Sequence, residues 1–169
     1  MKILKVLFTS SILSLAVATN LYAAVDCPEC KDCTMVIDLN VEFKNASSAY
    51  MDDSEREKVV EYAEFLKNND LYAVIEGHTS KLAAAPYNYW LSAKRADKVK
   101  AELIKLGVSP SQVGSIGFGE SSPLYDNNTE MGSQKNRRVI GEVFNSEDEL
   151  SEYITSEKNR IADIKDKEQ

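Results

Sequence analysis

The sequence predicts an α/β domain of the α+β sandwich type, with helices packed on a mixed sheet in the order β-α-β-α-β-β. Three observations support this prediction. Short segments that are apolar throughout, or in which polar and apolar residues alternate, are typical of strands. They are interspersed with longer segments whose apolar residues recur at helical spacing. Turn-forming residues separate these segments. The 169 residues suffice for one ordinary domain with terminal extensions.

The first strand, helix and second strand are predicted between residues 35 and 77. Polar and apolar residues alternate over 35–43, which indicates a half-buried strand. Ser54 and Glu57 have the spacing of a capping box, and apolar residues then recur at helical intervals until residue 68. The apolar run 71–77 is short enough for a buried strand parallel to the first one.

The second half of the domain is predicted to contain one long helix and two further strands. Asn88 is expected to cap the helix, and Gly107 is expected to end it in a left-handed conformation. The glycine-rich segment 113–121 indicates a bulged strand and not a dinucleotide-binding loop, because no helix begins after it. A turn-rich loop then leads to the last predicted strand, 138–144.

Three segments flank this predicted domain, 35–144. Residues 1–23 combine two lysines, an apolar stretch and a terminal Ala, which is the pattern of a secretory signal peptide. Residues 24–34 form a cysteine-rich leader. Residues 145–169 form a charged tail that we expect to be an exposed helix with a narrow apolar stripe. That stripe consists of Leu150, Ile154, Ile161 and Ile164. A solvated terminus is the favoured interpretation, and a docking or coiled-coil arm is the alternative.

Three cysteines, Cys27, Cys30 and Cys33, lie in the leader. Export would place them in an oxidising compartment, where an odd number cannot pair completely within one chain. We favour one small loop disulfide, together with a disulfide-linked dimer as a candidate assembly. A redox Cys-x-x-Cys, a zinc site completed by His78 and a lipid anchor on Cys27 are the alternatives.

Charge and composition exclude several classes of function. Twenty Lys and Arg stand against 27 Asp and Glu, so the chain lacks the basic surface that nucleic acids require. Removal of the predicted signal peptide would take two lysines and shift the net charge from −7 to −9. The single histidine excludes three-histidine zinc sites and helical zincins. After residue 23 no apolar run reaches the roughly 18 residues of a transmembrane helix.

Arg95 is the main candidate for ligand binding. On the predicted long helix it falls inside the apolar arc between Leu91 and Val99. Its guanidinium either snorkels to the rim of the helix or binds a carboxylate through two parallel hydrogen bonds. The turn 77–80 follows a buried strand and leads into this helix, at the edge where parallel sheets bind ligands.

Uncharged polar residues accompany this arginine. Thr79, Ser80 and Asn88 would supply donors and acceptors, and the nearby helix amino end favours an anion, so a small carboxylate ligand is expected. His78 is interpreted as a structural imidazole, with a catalytic base as the alternative. Trp90, beside Tyr87 and Tyr89, could stack on a sugar face or merely pack the predicted long helix, and the sequence favours neither interpretation.

Four ordered segments, VIEGHTS, NYWLSAKRADKVKAELIKLGV, GFGESSP and NRRVIGEV, resemble the OmpA-like domains of OmpA C-terminal, Pal and MotB-like proteins. The resemblance covers about residues 35–144. It implies a non-catalytic domain without cofactor or metal that associates with peptidoglycan by holding the diaminopimelate residue of the stem peptide. An exported protein of the periplasm, associated with the cell wall, the outer membrane or both, is therefore expected.

The family pattern implies roles for individual residues. Arg95 matches the arginine that holds the diaminopimelate carboxylate, and Thr79 and Asn88 match positions in the pocket. Ser80 stands where the family has an aspartate that binds the ammonium, and Lys44 stands where the family commonly has an acid. Loss of a charged acceptor costs about 1.5–3 kcal/mol, which corresponds to roughly 10- to 100-fold in affinity.

Two further expectations concern partners. Asn136 and Arg137, before the last strand, are secondary candidates for ligand binding, with ordinary surface charge as the alternative. The alternative function is an interaction scaffold of the same fold that has lost cell-wall binding. Such a scaffold would use the cysteine leader for a disulfide-linked dimer and the tail for an envelope protein partner.

Overall fold

The structure, a computed structural model, describes residues 39–167, with side chains up to residue 164. The predicted signal peptide, Cys27, Cys30 and Cys33, and the first part of the predicted first strand lie outside these residues. Within them, strands and helices follow one another as β1 (Val41–Glu42), α1 (Ser54–Asn69), β2 (Tyr72–His78), α2 (Ala85–Lys105), β3 (Val113–Gly119), α3 (Glu130–Asn136), β4 (Arg138–Phe144) and α4 (Glu147–Lys167).

The four strands form one mixed sheet in the order β1-β4-β2-β3. β4 pairs antiparallel with both β1 and β2, and β2 pairs parallel with β3. β1 and β2 therefore run in the same direction, as expected, but β4 lies between them. The mixed sheet with packed helices confirms the predicted fold class.

Alternation along the strands sorts the side chains into two cores. Ala73 and Ile75 of β2 face α1 and α2, where they join the larger core. Val74 faces the opposite side and packs with Ile116 and Phe118 of β3 beneath α4. The sheet is thus covered by α1 and α2 on one face and by α4 on the other.

The packing of α4 corrects the expectation of a solvated terminus. Leu150 and Ile161 are buried against the second core, with exposed fractions of 4% and 6%. Tyr153 donates a hydrogen bond to the Glu76 carboxylate at 2.7 Å. The narrow stripe is sufficient because the sheet offers apolar side chains to receive it. No helix within residues 39–167 combines the length and apolar character that crossing a bilayer requires.

Helix boundaries differ from the predicted ones at two amino ends. Ser54 is the first residue of α1 and not its cap, and its backbone N–H donates to Asp52 at 2.9 Å. Asn88 lies in the first turn of α2, which begins at Ala85 with Pro86 beside it, so Asn88 is not the cap. The predicted left-handed residue after α2 is confirmed, because Gly107 has φ +95°.

The connection between β3 and β4 contains the short helix α3, which the sequence did not predict. Its cap is Thr129, whose hydroxyl accepts a hydrogen bond from the backbone N–H of Gly132 at 3.0 Å. A seven-residue helix of mostly polar residues has too little apolar periodicity to be recognised in a sequence.

Close contact between α2 and the sheet positions the candidate site. A Cβ at Gly77 of β2 would overlap the backbone carbonyl of Ser92, and a Cβ at Gly117 of β3 would overlap the backbone of Ala93. The Ser92 hydroxyl accepts a hydrogen bond from the backbone N–H of Gly119 at 2.9 Å. The helix that carries Arg95 is therefore held directly against the ends of β2 and β3.

Candidate ligand-binding cleft

A small cleft lies where the carboxyl end of β2 meets the amino end of α2 and the loop after β1. Its volume is about 40 Å³. The cleft is lined by Asn45, Ala46, Thr79, Ser80, Leu82, Ala83, Tyr87, Asn88, Leu91, Arg95 and Arg137. The structure therefore brings together Thr79, Ser80, Asn88 and Arg95, the four residues that the sequence selected.

Arg95 is completely buried and does not snorkel to the rim. Its Nε donates to the carbonyl of Ser47 at 2.9 Å, and its Nη2 donates to the carbonyl of Lys44 at 3.0 Å. A longer contact of 3.4 Å joins Nη1 to the carbonyl of His78. The guanidinium carbon lies 5.2 Å from the centre of the Phe43 ring. Arg95 thus ties α2 to the loop after β1.

The charge of Arg95 has no anionic counterpart in the part of the chain that the structure describes, where it forms no ion pair with Asp or Glu. Arg137, a second guanidinium, lines the same cleft. Burial, together with the positive charge of Arg137, lowers the pKa of Arg95 to about 10. Arg95 is still protonated at neutral pH, so the cleft holds a buried positive charge without an acid.

Thr79 and Ser80 form the floor of the cleft beyond the end of β2. Both residues are buried. The backbone N–H of Thr79 donates to the carbonyl of Gly119 at 2.8 Å, which fixes the turn against β3. The Thr79 hydroxyl is buried without a hydrogen-bond partner among the described residues. A buried hydroxyl without a partner is costly unless a ligand or water completes it.

Asn88 enters the cleft from the first turn of α2. Its amide nitrogen donates to the carbonyl of Ala83 at 2.9 Å and to the carboxylate of Glu120. Glu120 follows β3 and does not line the cleft. These contacts use the amide donors, so the side-chain oxygen of Asn88 is directed by the protein and not by solvent.

The two secondary candidates have different environments. Arg137 lines the cleft, and its Nη2 donates to the side-chain oxygen of Gln134. Asn136 does not line it. Its side-chain oxygen accepts hydrogen bonds from the backbone N–H groups of Leu124 and Tyr125, both at 3.1 Å, and thereby holds the loop before α3.

His78 lies on the opposite face of the sheet. Its ring stacks on Phe118 with centroids 5.2 Å apart and an interplanar angle of 6°. Its Nε2 lies 3.6 Å from a carboxylate oxygen of Glu76. Burial lowers the pKa of His78, and Glu76 opposes this shift only in part. The side chain packs beneath α4, and only its backbone carbonyl contacts the candidate site.

Several residues at the cleft were not selected from the sequence. Asn45 and Ala46 come from the loop after β1, where Ala46 has φ +48°, an unusual conformation for alanine. Tyr87 lines the cleft from α2, and Leu82 lines it from the loop before that helix. Trp90 is 54% exposed, and its ring lies beside Tyr87 of the same helix, with ring centroids 5.6 Å apart. No periodicity marks a loop, so only the structure reveals these neighbours.

The described residues contain no group of three or more His, Cys, Asp or Glu arranged to hold a metal ion. The cleft instead combines guanidinium groups, hydroxyls and one amide. These groups suit reversible binding of an anion through charge-assisted hydrogen bonds.

Comparison with known proteins supports the resemblance of the sequence segments. The model of the OmpA family matches residues 43–137. Outer membrane porin F of Pseudomonas fluorescens is 48% identical over 69 residues, which cover 41% of this chain and 21% of that protein. The peptidoglycan-associated lipoprotein of Buchnera aphidicola subsp. Baizongia pistaciae is 42% identical over 67 residues, or 40% of this chain and 39% of that protein. The chain thus matches less than half the length of either relative.

Solved structures share the fold. The crystal structure of the peptidoglycan-associated lipoprotein from Burkholderia pseudomallei has a TM-score of 0.59 and 26% identity, over 62% of this chain and 89% of that one. The C-terminal domain of Helicobacter pylori MotB has the same TM-score with 24% identity, over 72% of this chain and 95% of that one. At 24% identity, the similarity to MotB shows a shared fold and nothing further.

Proposed function

Because the chain belongs to the OmpA family, we propose that it is a peptidoglycan-binding protein of the cell envelope. It attaches non-covalently to the diaminopimelate-containing stem peptide of the cell wall and performs no catalysis. The observation that carries this proposal is the buried Arg95, which lines a cleft and has no acidic partner in the described part of the chain. A ligand carboxylate would supply the missing negative charge.

The guanidinium retains donors for such a ligand. Of its five N–H groups, three contact the carbonyls of Lys44, Ser47 and His78. Two N–H groups are left for a carboxylate, and charge-assisted hydrogen bonds are about twice as strong as neutral ones. Because a carbonyl dipole compensates a buried charge less well than a carboxylate does, the ligand stabilises the site.

The other residues of the cleft orient the ligand. The buried Thr79 hydroxyl has no hydrogen-bond partner among the described residues, so it is available to the ligand. The Asn88 amide donates to Ala83 and Glu120, and these two contacts fix the direction of its side-chain oxygen. Ser80 contributes a hydroxyl where a charged acceptor would bind an ammonium more strongly. Arg95 has no exposed surface and donates to the carbonyls of Lys44 and Ser47, so the loop of residues 44–48 has to shift when the ligand enters.

The test is co-sedimentation of the purified protein with sacculi that contain diaminopimelate. Arg95→Lys keeps the charge but removes the planar fork of donors, and we expect at least a roughly 10-fold weaker affinity. Arg95→Ala should abolish binding. Unchanged affinity in both variants would exclude Arg95 from wall binding.

A matched control separates loss of function from loss of fold. Arg56, unlike Arg95, is paired with a glutamate, Glu102, and its side chain is 70% exposed. Arg56→Ala should bind sacculi like the wild type. Thermal unfolding of all three variants must accompany the assay, because Arg95→Ala also leaves the carbonyls of Lys44 and Ser47 without their donor.

A second candidate function is a protein-interaction scaffold in the envelope. The observation that favours it is a group of exposed apolar side chains around α3, Leu124, Tyr125 and Met131. A scaffold that no longer binds the wall would show no sedimentation with sacculi even as wild type. Migration as a covalent dimer on a non-reducing gel, reversed by reductant, would support it, and a strict monomer would weigh against it.

A further inference from the structure

The charged side chains that line the cleft are all positive. Arg95 and Arg137 both line it, and no Asp or Glu is among the lining residues. The positive charge of Arg137 contributes to the lowered pKa of Arg95, so the two guanidinium groups repel each other across the site. A ligand that adds another positive charge at this position would increase the repulsion.

Three acids, Glu42, Glu120 and Glu130, interact with residues that line the cleft, but none of them lines it. The Glu120 carboxylate accepts a hydrogen bond from the Asn88 amide and does not line the cleft. The carboxylate of Glu42 accepts a hydrogen bond from the side-chain amide of Gln134 at 2.8 Å. Burial lowers the pKa of Arg137, and the negative charges of Glu42 and Glu130 oppose this shift from outside the cleft.

The remaining polar groups of the cleft floor are neutral. The Thr79 hydroxyl is buried and has no partner among the described residues, and Ser80 beside it is buried as well. A hydroxyl oxygen readily accepts a hydrogen bond from an amide N–H group. The amide is neutral, so no charge has to be compensated in the cleft. An ammonium in the same place would lose its water and gain only neutral acceptors.

We propose that the cleft selects a carboxylate whose neighbouring nitrogen is acylated, so that Arg95 holds the carboxylate and the hydroxyls of Thr79 and Ser80 accept from the amide N–H. This inference deepens the proposed function and rests on it. The ligand is an N-acyl amino acid carboxylate and not a zwitterion.

Two parts of a cell wall have this chemistry. One is the carboxyl-terminal residue of a stem peptide, and the other is a diaminopimelate whose free amine has been acylated by a cross-link. Both present a carboxylate beside an amide. Matched small ligands distinguish them, because one derives from alanine and the other from diaminopimelate.

The experiment is titration of the purified protein, followed by the NMR signals of the Thr79 and Asn88 amides and the Arg95 side chain. The four probes are D-alanine, N-acetyl-D-alanine, meso-diaminopimelate and its mono-N-acetyl derivative. We expect each acylated form to bind at least about 10-fold more tightly than its free amine. Tighter binding of one acylated probe than the other identifies the source.

Ser80→Asp provides the opposing variant. It places a negative charge on the cleft floor, which attracts an ammonium group. The affinity for the free amines should therefore rise, and the preference for the acylated probes should become smaller or reverse. Free amines that bind the wild type as tightly as the acylated forms would overturn the inference, and so would absence of binding by both acylated probes. If the free amines bind tightly and Glu120→Gln removes this binding, Glu120 supplies the charge and the inference also fails.

Co-sedimentation with sacculi, run in parallel, separates the two proposals. Sedimentation that depends on Arg95, without any preference for acylated probes, leaves the wall-binding proposal intact and overturns this inference. A preference for acylated probes without sedimentation supports the inference about the cleft and contradicts wall binding.

Discussion

At the scale of the residue, the position of Arg95 depends on two glycines in the sheet. Gly77 and Gly117 leave room for the backbone of α2 at Ser92 and Ala93, less than one turn before Arg95. The absence of a Cβ at these positions therefore sets how deeply the helix packs. Depth in turn decides whether the guanidinium reaches the loop after β1.

Gly77→Ala should test this dependence. The added Cβ would overlap the Ser92 carbonyl, which belongs to helix backbone and cannot turn away. We expect a loss of about 1–3 kcal/mol in the free energy of unfolding, the usual cost of overpacking. Thermal or urea unfolding measures it, and NMR shifts at Thr79 and Arg95 would report the displaced helix.

Gly114→Ala is the matched control in the same sheet. Its Cβ would meet the end of the Ile154 side chain, which can adopt another rotamer. The loss should therefore be smaller than for Gly77→Ala. Equal losses at the two positions would show that close packing of α2 is not what Gly77 provides.

The residues of the site were predictable to different degrees. Arg95 was recognisable because a charge inside an apolar arc breaks the helical pattern, and Thr79 and Ser80 because they follow a buried strand. Asn88 was selected for the site as well, but its expected role as a helix cap was wrong, because α2 begins at Ala85. Ala46 could not be found, since its place depends on a loop conformation with no sequence pattern.

At the scale of the element, α4 shows how a narrow stripe can dock. Leu150 lies in the second core with Val74, Ile116 and Phe118. Leu150→Ala should lower the free energy of unfolding by about 2–5 kcal/mol. Urea unfolding measures this loss, and hydrogen exchange should show weaker protection of the α4 amides. Leu124→Ala, at a side chain 68% exposed, should change stability by less than about 0.5 kcal/mol. Similar effects of both changes would mean that α4 is not docked.

A second test of this interface uses pH. Glu142 of β4 lies beneath α4. Burial raises the pKa of its carboxyl group above the ordinary value of 4.5, and the negative charges of Glu76 and Glu157 add to this shift. A hydrogen bond with Tyr153 opposes it. The folded state therefore holds this proton at pH values where the unfolded chain has released it. Stability is lost as pH rises from about 4.5 through the raised pKa.

Glu142→Gln removes this loss. The gain in free energy of unfolding over the wild type should be larger at pH 7 than at pH 4, as measured by urea unfolding. His78, whose pKa is lowered by burial, acts in the opposite sense and gains stability as pH rises towards 6.5. Its contribution cancels in the difference between variant and wild type. A difference that does not change with pH would contradict the proposed penalty at Glu142.

The elements themselves were predicted with uneven success for a physical reason. β2, α2, β3 and β4 have strong apolar periodicity or buried runs, and the structure contains each of them close to the predicted positions. The short helix α3 was missed, because a capping residue alone does not predict a helix when the residues after it are mostly polar and show no apolar periodicity. The docking of α4 was also missed, since a stripe does not reveal the surface that receives it.

At the scale of the whole molecule, the cationic cleft belongs to an acidic protein. The chain carries a formal net charge of −7, and stem peptides also carry carboxylates. In the proposed function, approach to the wall is therefore opposed at long range by repulsion, whereas the contact at Arg95 is attractive. Salt screens exposed charges over about 10 Å at 0.1 M but affects buried contacts much less.

Raising the salt concentration from about 0.05 to 0.2 M should thus leave the affinity for sacculi unchanged or increase it slightly, because screening weakens the long-range repulsion more than the buried contact. Co-sedimentation at a series of salt concentrations measures this. Lys81→Ala and Lys94→Ala change two exposed lysines that are sequence neighbours of the cleft residues Ser80 and Arg95, and they should change affinity less than twofold at every concentration. A tenfold loss of affinity with salt, reduced by the lysine variants, would mean that surface lysines and not the buried guanidinium hold the wall.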